Sequence, residues 1–303
     1  MKFVTFRKKD GSIRAGWIEK EQTVIDMHEA SNGSLPRDML SFLENQSTFF
    51  HEITANYKTP TKGIYRFEDV HFLAPLPNPK SFRDFYAFEE HVKTARENRG
   101  LAMVPDWYDI PVFYFSNHLA IKGPDEVIYR PENCKMLDYE LEIGCIIGKE
   151  GMNIKSEDAD EYIFGFCILN DWSARDLQRK EMKVGLGPAK GKDFATSIGP
   201  YIITKDELEQ HRVGKGYNLT MTARVNGEEL SKGNMKEIYY SFGEMIERAS
   251  NHVTLYPGEI IGSGTVGSGC LLELGTVVHR YLEPGDIIEL EITALGTLKN
   301  TIC

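Results

Sequence analysis

The chain has 303 residues, 41% hydrophobic and 26% charged, with 45 acidic against 35 basic side chains and a net charge of -10. That length accommodates one large domain or two unequal ones around a substantial core. The acidic balance argues against nucleic acid and anionic membrane as partners, and no window approaches the ~20 consecutive apolar residues of a membrane-spanning helix.

Residues 1–72 read as a small N-terminal α+β domain. A strand over Met1–Phe6, a turn at Asp10-Gly11, a strand over Ile13–Ile18 and a short helix near Pro36–Leu43 follow in order. The opening segment lacks the apolar run of a secretory signal, so a cytoplasmic location is expected. Pro75-Leu-Pro-Asn-Pro79 punctuates the passage into a larger domain, residues 73–303. Cysteines 134, 145, 167, 270 and 303 show no C-x-x-C spacing and lie mostly in apolar runs. That fits buried thiols in a reducing compartment rather than disulfides, zinc ligation or a nucleophile.

Beyond the boundary, Asp84–Asn98 reads as a charged helix, with Tyr86, Glu90 and Lys93 on one stripe and Ala87, His91 and Thr94 on its neighbour. A polar helix placed there is a candidate lid. A histidine whose second nitrogen is held by a carboxylate can remove a proton, and Glu273 is the candidate partner for His91. Glu273 sits in Ser268–Gly275, read as an apolar strand; the plainer reading is an outward-facing strand residue.

From Leu137 to Ile147 apolar residues alternate with Asp138, Glu140, Glu142 and Gly144, the pattern of a strand whose two faces differ. Two glutamates two positions apart point the same way and repel unless a cation lies between them. Asp171 ends a second apolar strand, Tyr162–Asn170, where it can meet the other two. Three hard oxygen donors suit Mg²⁺, Mn²⁺ or Ca²⁺ rather than Zn²⁺. Spacing alone equally allows a solvated strand face with Asp171 as a helix N-cap.

Arg175 and Gln178 would share a helix stripe leaving that strand, where the guanidinium could clamp a substrate carboxylate or pair within its own helix. Lys183–Asp193, with Lys192, is Gly-rich but lacks the spacing of a P-loop. A hairpin around Asn226-Gly227 and an amphipathic helix over 236–250 follow. Gly262–Gly269 is a loop whose N–H groups could hold an anion, or a plain connection. The chain therefore reads as mixed and β-dominated, closer to a rolled or barrel-like sheet than to alternating βαβ units.

These residues, in this order, resemble the fumarylacetoacetate hydrolase family from about Ser81 to the C-terminus. The resemblance rests on Leu137-Asp-Tyr-Glu-Leu-Glu142, Leu169-Asn-Asp-Trp-Ser-Ala-Arg-Asp-Leu-Gln178, Gly187-Pro, Gly191-Lys192 and Gly262-Ser-Gly-Thr265. It implies a β-roll or barrel-like catalytic domain, usually dimeric, behind a small N-terminal β domain. It implies Glu140, Glu142 and Asp171 as ligands of Mg²⁺, Mn²⁺ or Ca²⁺, with Asp84 approaching the ion. His91 is implied as general base, Glu273 as its orienting partner and Lys192 as an electrostatic assistant. Tyr86, Tyr114, Arg175, Gln178 and Thr265 are implied to touch substrate. The loops around Lys192 and between Thr265 and Glu273 depart in length from the eukaryotic hydrolase.

The activity so implied is metal-dependent hydrolysis of a C–C bond in a 1,3-diketo acid, a small anionic oxo acid, by a homodimer. The alternative on the same platform is decarboxylation or keto–enol isomerisation of a 2-oxo acid, which needs no water attack. A third reading is a metal-stabilised binding scaffold without activity.

Overall fold

The computed structural model describes residues 1–20, 22–57 and 59–303. The alternating apolar runs assemble into a twelve-stranded and a five-stranded sheet. Along its main path the larger sheet runs through Ile64–Arg66, Thr23–Asp26, Ile13–Glu19, Lys2–Lys8, Thr196–Thr204, Ile163–Asp171, Leu141–Ile147, Ile260–Gly262, Phe82–Phe85 and Phe113–Phe115. The smaller runs through Glu228–Asn234, Thr220–Val225, Ile287–Ile292, Gly296–Ile302 and Val127–Ile128. This is the β-dominated roll expected, built from open sheets, with no closed barrel among the described residues. The N-terminal strand Lys2–Lys8 pairs antiparallel with Thr196–Thr204, so a strand from the N-terminal segment joins the sheet of the larger one.

The central strands are buried on both faces, which removes the solvated strand face that spacing alone allowed. Every residue of Leu141–Ile147 and Ile163–Asp171 is buried. Leu141, Ile143, Cys145 and Ile147 pack toward the small sheet, among Met221, Ala223, Leu290 and Ile292. Ile146, Phe164 and Leu169 face the other way, onto Phe3, Trp17 and Phe42 of the N-terminal segment. Each such side chain contributes roughly 1.5–3 kcal/mol of transfer free energy. The acidic parity is thus an inner face whose far end is apolar.

Four elements differ from the sequence reading. The strand read over Leu137–Ile147 is broken at Tyr139–Glu140, because Leu137–Asp138 pairs with Ser173–Ala174 in a separate two-stranded sheet and only Leu141–Ile147 lies in the large one. The helix expected from Asp84 begins only at Glu89 and ends at Glu97, because Phe82–Phe85 is a buried strand pairing with Ile260–Gly262 and Phe113–Phe115. Glu273 lies on a short helix, Leu271–Leu274, not on a strand. The helix expected over 236–250 is confined to Phe242–Ser250, where Ser241 and Glu244 form a capping box. Among the described residues no helix is long and apolar enough to cross a membrane.

Candidate active site

Strand register brings the acids together. Gly262 lies opposite Asp84 on one side and Gly144 on the other, while Glu142 lies opposite Leu169, two residues before Asp171. Period two then puts Asp84, Glu142 and Asp171 on one face of the sheet. Their carboxylates each offer an oxygen within 4.8 Å of the others, and all three are buried. Gly262 makes this possible, because a Cβ there would fall on Oδ1 of Asp84, inside van der Waals contact.

Glu140 belongs to a neighbouring ion-pair network rather than to that trio. Its Oε1 accepts from Arg175 at 2.8 Å, and its Oε2 accepts from the Lys192 ammonium. Lys192 also donates to Oδ2 of Asp171 at 2.6 Å. Burial would raise Glu140, but Lys192 and Arg175 outweigh it and hold the carboxyl well below the usual range. Asp84 moves the opposite way, raised by burial and then by Asp171; burial and then Asp84 raise Glu142. Two adjacent acids thus resist ionisation while a third is held ionised, a separation typical of functional sites.

A second cluster stands beside the first. His91 Nδ1 is 2.7 Å from Oε2 of Glu273, both side chains being buried. Tyr86 meets the imidazole edge-on at 5.3 Å, and burial pushes its phenol up to about 12. The glycine-rich loop joins the clusters. Gly264 N–H and the Thr265 hydroxyl donate to Glu142 at 3.1 and 3.3 Å, while Ser268 N–H donates to Glu273 at 3.0 Å. The anions this loop holds are the chain's own carboxylates.

One cavity of about 900 Å³ is lined by Asp84, Tyr86, His91, Tyr114, Glu140, Glu142, Arg175, Gln178, Lys192 and Thr265, so ten of the twelve residues singled out from sequence face a common space. Asp171 and Glu273 stand immediately behind, holding Lys192 and His91 respectively. Several side chains expected to touch substrate are engaged within the protein. Tyr114 donates to Asp171, and Arg175 spends Nε on Asp138 and Nη1 on Gln178. Asp138, placed by the sequence on the parity of Glu140 and Glu142, has no role in that reading. It accepts from Arg175 and from the N–H groups of Leu271 and Leu272, tying the Glu273 helix to the ion-pair network.

The trio fits a hard divalent cation. Oδ1 of Asp84 and Oδ1 of Asp171 are buried polar atoms with no hydrogen-bond partner among the described residues. Buried carboxylate oxygens of this kind cost free energy unless something positive satisfies them. The donors are all oxygen, the chemistry Mg²⁺, Mn²⁺ and Ca²⁺ prefer.

Residues 80–303 match the family model for the C-terminal domain of fumarylacetoacetate (FAA) hydrolases. The chain belongs to the fumarylacetoacetate hydrolase family. This family member is 31% identical to the mitochondrial oxaloacetate tautomerase FAHD2A of Bos taurus over 288 residues, covering 92% of this chain and 83% of that one. It is 30% identical to the oxaloacetate tautomerase YisK of Bacillus subtilis over 248 residues, 79% of this chain and 75% of the relative. A fumarylacetoacetate hydrolase structure from Exiguobacterium antarcticum superposes with a TM-score of 0.76 at 25% identity, covering 100% and 99% of the two chains. A putative HpcE protein from Mycobacterium smegmatis shares the fold, with a TM-score of 0.78 at 24% identity and the same coverage.

Proposed function

We propose that this enzyme interconverts the keto and enol forms of a 2-oxo diacid of the oxaloacetate type, with Mg²⁺ or Mn²⁺ held by Asp84, Glu142 and Asp171. The observation that carries the reading is the Glu273-held His91 lining the same cavity as two of the clustered carboxylates. The two relatives named oxaloacetate tautomerases support this chemistry over the hydrolysis expected from sequence. When bound, the cation would supply Lewis-acid stabilisation of negative charge developing on the oxo group. His91 takes the proton leaving C3 at its free ring nitrogen, since Nδ1 is occupied by Glu273. Tyr86, kept neutral by burial, stands against the imidazole as a donor for the C2 oxygen. C3 loses one proton to His91 and that oxygen gains one from Tyr86; the proton on His91 then passes to the Tyr86 oxygen, so substrate and enzyme both balance without a further reactant. Lys192 contributes fixed positive charge beside the reacting carbons.

Hydrolysis of a 1,3-diketo acid is the second reading, favoured by the same dyad because it can equally take a proton from water. In that reaction the hydroxyl adds to the distal carbonyl, the C–C bond breaks with its electron pair leaving on carbon, and His91 returns the proton there. An ultraviolet assay separates the two. Loss of oxaloacetate enol absorbance with no change in acid content supports tautomerisation, while loss of acylpyruvate absorbance with release of two acids supports hydrolysis. Inertness toward both substrates with Mn²⁺ present removes both readings. Homodimeric assembly belongs to the same proposal and is read by light scattering.

A further inference from the structure

A cysteine stands inside the pair that holds the base. Cys270 caps the helix Leu271–Leu274 and Glu273 follows three positions later, so both side chains emerge from one short turn. The Cys270 thiol donates to Oε2 of Glu273 at 3.3 Å, the same oxygen that His91 Nδ1 meets at 2.7 Å. A ring nitrogen of His91, Sγ of Cys270 and a carboxylate oxygen of Glu273 all lie within 4.8 Å of one another, and all three residues are buried. Proton transfer uses the histidine and the glutamate and gives the sulfur nothing to do.

This donor set differs in kind from the acidic trio. Asp84, Glu142 and Asp171 offer only oxygen, whereas a thiolate, an imidazole and a carboxylate form the mixed set that a borderline-soft ion such as Zn²⁺ takes. Tetrahedral zinc holds such atoms roughly 3.4–3.6 Å apart. The sulfur and the carboxylate already stand near that separation, and the imidazole has to retreat by roughly half an ångström. Thiolate and carboxylate together balance a dication, so the filled site buries no net charge. Three protein ligands leave a fourth position open, and His91 lines the cavity through which an ion and a water can arrive. The ligands span 182 positions of sequence, so no C-x-x-C spacing announces them.

We propose that His91, Cys270 and Glu273 form a second, soft-metal site, and that Zn²⁺ bound there switches the enzyme off. Burial, then Asp138 and Glu273, push the thiol up, so the resting sulfur is protonated. The ion sends that proton to solvent. The neutral imidazole keeps its single proton but has to carry it on Nε2, because Nδ1 now holds the ion. Nε2 is the nitrogen that Glu273 leaves free to accept a proton from C3 or from water. Coordination at one ring nitrogen thus removes the base at the other. The inhibition rests on His91 as base, which both reaction readings share; the metal site does not.

The test uses the full, Mn²⁺-loaded chain. Zn²⁺ binding is read by calorimetry, Co²⁺ binding by the near-ultraviolet thiolate-to-cobalt band, and turnover by exchange of the C3 hydrogens of oxaloacetate in D₂O. Co²⁺ should give the band in the parent and in Asp84→Asn, and not in Cys270→Ser. Zn²⁺ affinity should fall about 100-fold or more in Cys270→Ser, whose turnover, compared with its own zinc-free rate, should survive zinc concentrations that stop the parent. Circular dichroism checks the fold, and Cys270→Ala repeats the comparison. A parent without the thiolate band overturns the site, as does equal zinc sensitivity in parent and Cys270→Ser. A zinc isotherm lost in Asp84→Asn and kept in Cys270→Ser assigns the ion to the acidic trio and also overturns it. A thiolate band with turnover unchanged at saturating Zn²⁺ keeps the site, removes the switch and counts against His91 as base. Inertness of the parent toward oxaloacetate fails the keto–enol reading, while the band still decides the site.

Discussion

Asp84→Asn separates what the acidic cluster costs from what it does. The three carboxylates offer oxygens within 4.8 Å of one another. At an effective dielectric near 20, two unit charges at that distance repel by about 3.5 kcal/mol, so three ionised groups carry roughly 10 kcal/mol of mutual repulsion. Lys192, 2.6 Å from Asp171, offsets part of it. Proton uptake relieves more, which is why burial and Asp171 raise Asp84, and burial and Asp84 raise Glu142. Asparagine keeps the shape and removes two of the three repulsions, so the chelated variant should gain about 2 kcal/mol, within the range seen when buried charge is replaced. For a chain of this length that is about 4 °C in Tm. The pH dependence has a definite sign. Folded Asp84 and Glu142 hold protons that the unfolded chain releases, so stability of the chelated parent falls as pH rises from the ordinary carboxylate range toward their raised values. Asp84→Asn should flatten that slope. Mn²⁺ should reverse the ranking, since a ligand at 100 times its Kd stabilises the parent by about 2.7 kcal/mol and the variant far less. Thermal melts from pH 5 to 8, with EDTA and with Mn²⁺, read all of this. A chelated variant melting at or below the parent at pH 8 would refute the electrostatic account.

Gly262→Ala puts a Cβ on Oδ1 of Asp84; it should cost about 1–3 kcal/mol by overpacking and weaken Mn²⁺ binding at least tenfold, and an unchanged calorimetric Kd contradicts this. His91→Ala should lower turnover by about 10²–10⁴ and leave Mn²⁺ affinity nearly unchanged, so parental rates in that variant remove His91 as the base. Glu273→Gln should follow the same pattern with a smaller loss, and a larger loss than His91→Ala speaks against a purely orienting carboxylate. Lys192→Met strands Glu140 and Asp171 without their shared counter-charge, which should destabilise the fold by roughly 3–5 kcal/mol; a Tm within 2 °C of the parent counts against it.

What the linear chain reveals here follows from the range over which each signal acts. Period-two alternation announced the strand Leu141–Ile147 and correctly set Glu142 on the acidic parity, but it ran on through Tyr139–Glu140, where the chain passes from one sheet to another. The same alternation could not show that the acidic parity is an inner face, because Phe3, Trp17 and Phe42, which close its far end at Ile146, lie about a hundred residues upstream. Asp84–Phe85 looked helical beside so many charges, and only pairing with Ile260–Gly262 makes it a strand. The partition of the carboxylates was equally out of reach. Glu140 stands in the break just before the strand that carries Glu142, so one meets Lys192 and Arg175 and the other meets the Gly264–Thr265 turn. Local pattern sets direction, and only the sheet register decides which charge stands opposite.

The turn at 262–269 offers a physical reason why one fold can serve more than one reaction on oxo acids. It donates to Glu142 in the acidic cluster and to Glu273 behind His91, so cation site and base are fixed by one short piece of backbone. Glu142 sits on a central strand buried on both faces, whereas His91 rides on a nine-residue helix beside the cavity mouth. Displacing that helix by one rotamer's reach would alter which proton the imidazole meets while leaving the acids in place. Under the proposed reaction, enolate stabilisation is the contribution of the sheet, and the choice between moving a proton on carbon and activating a water belongs to the helix.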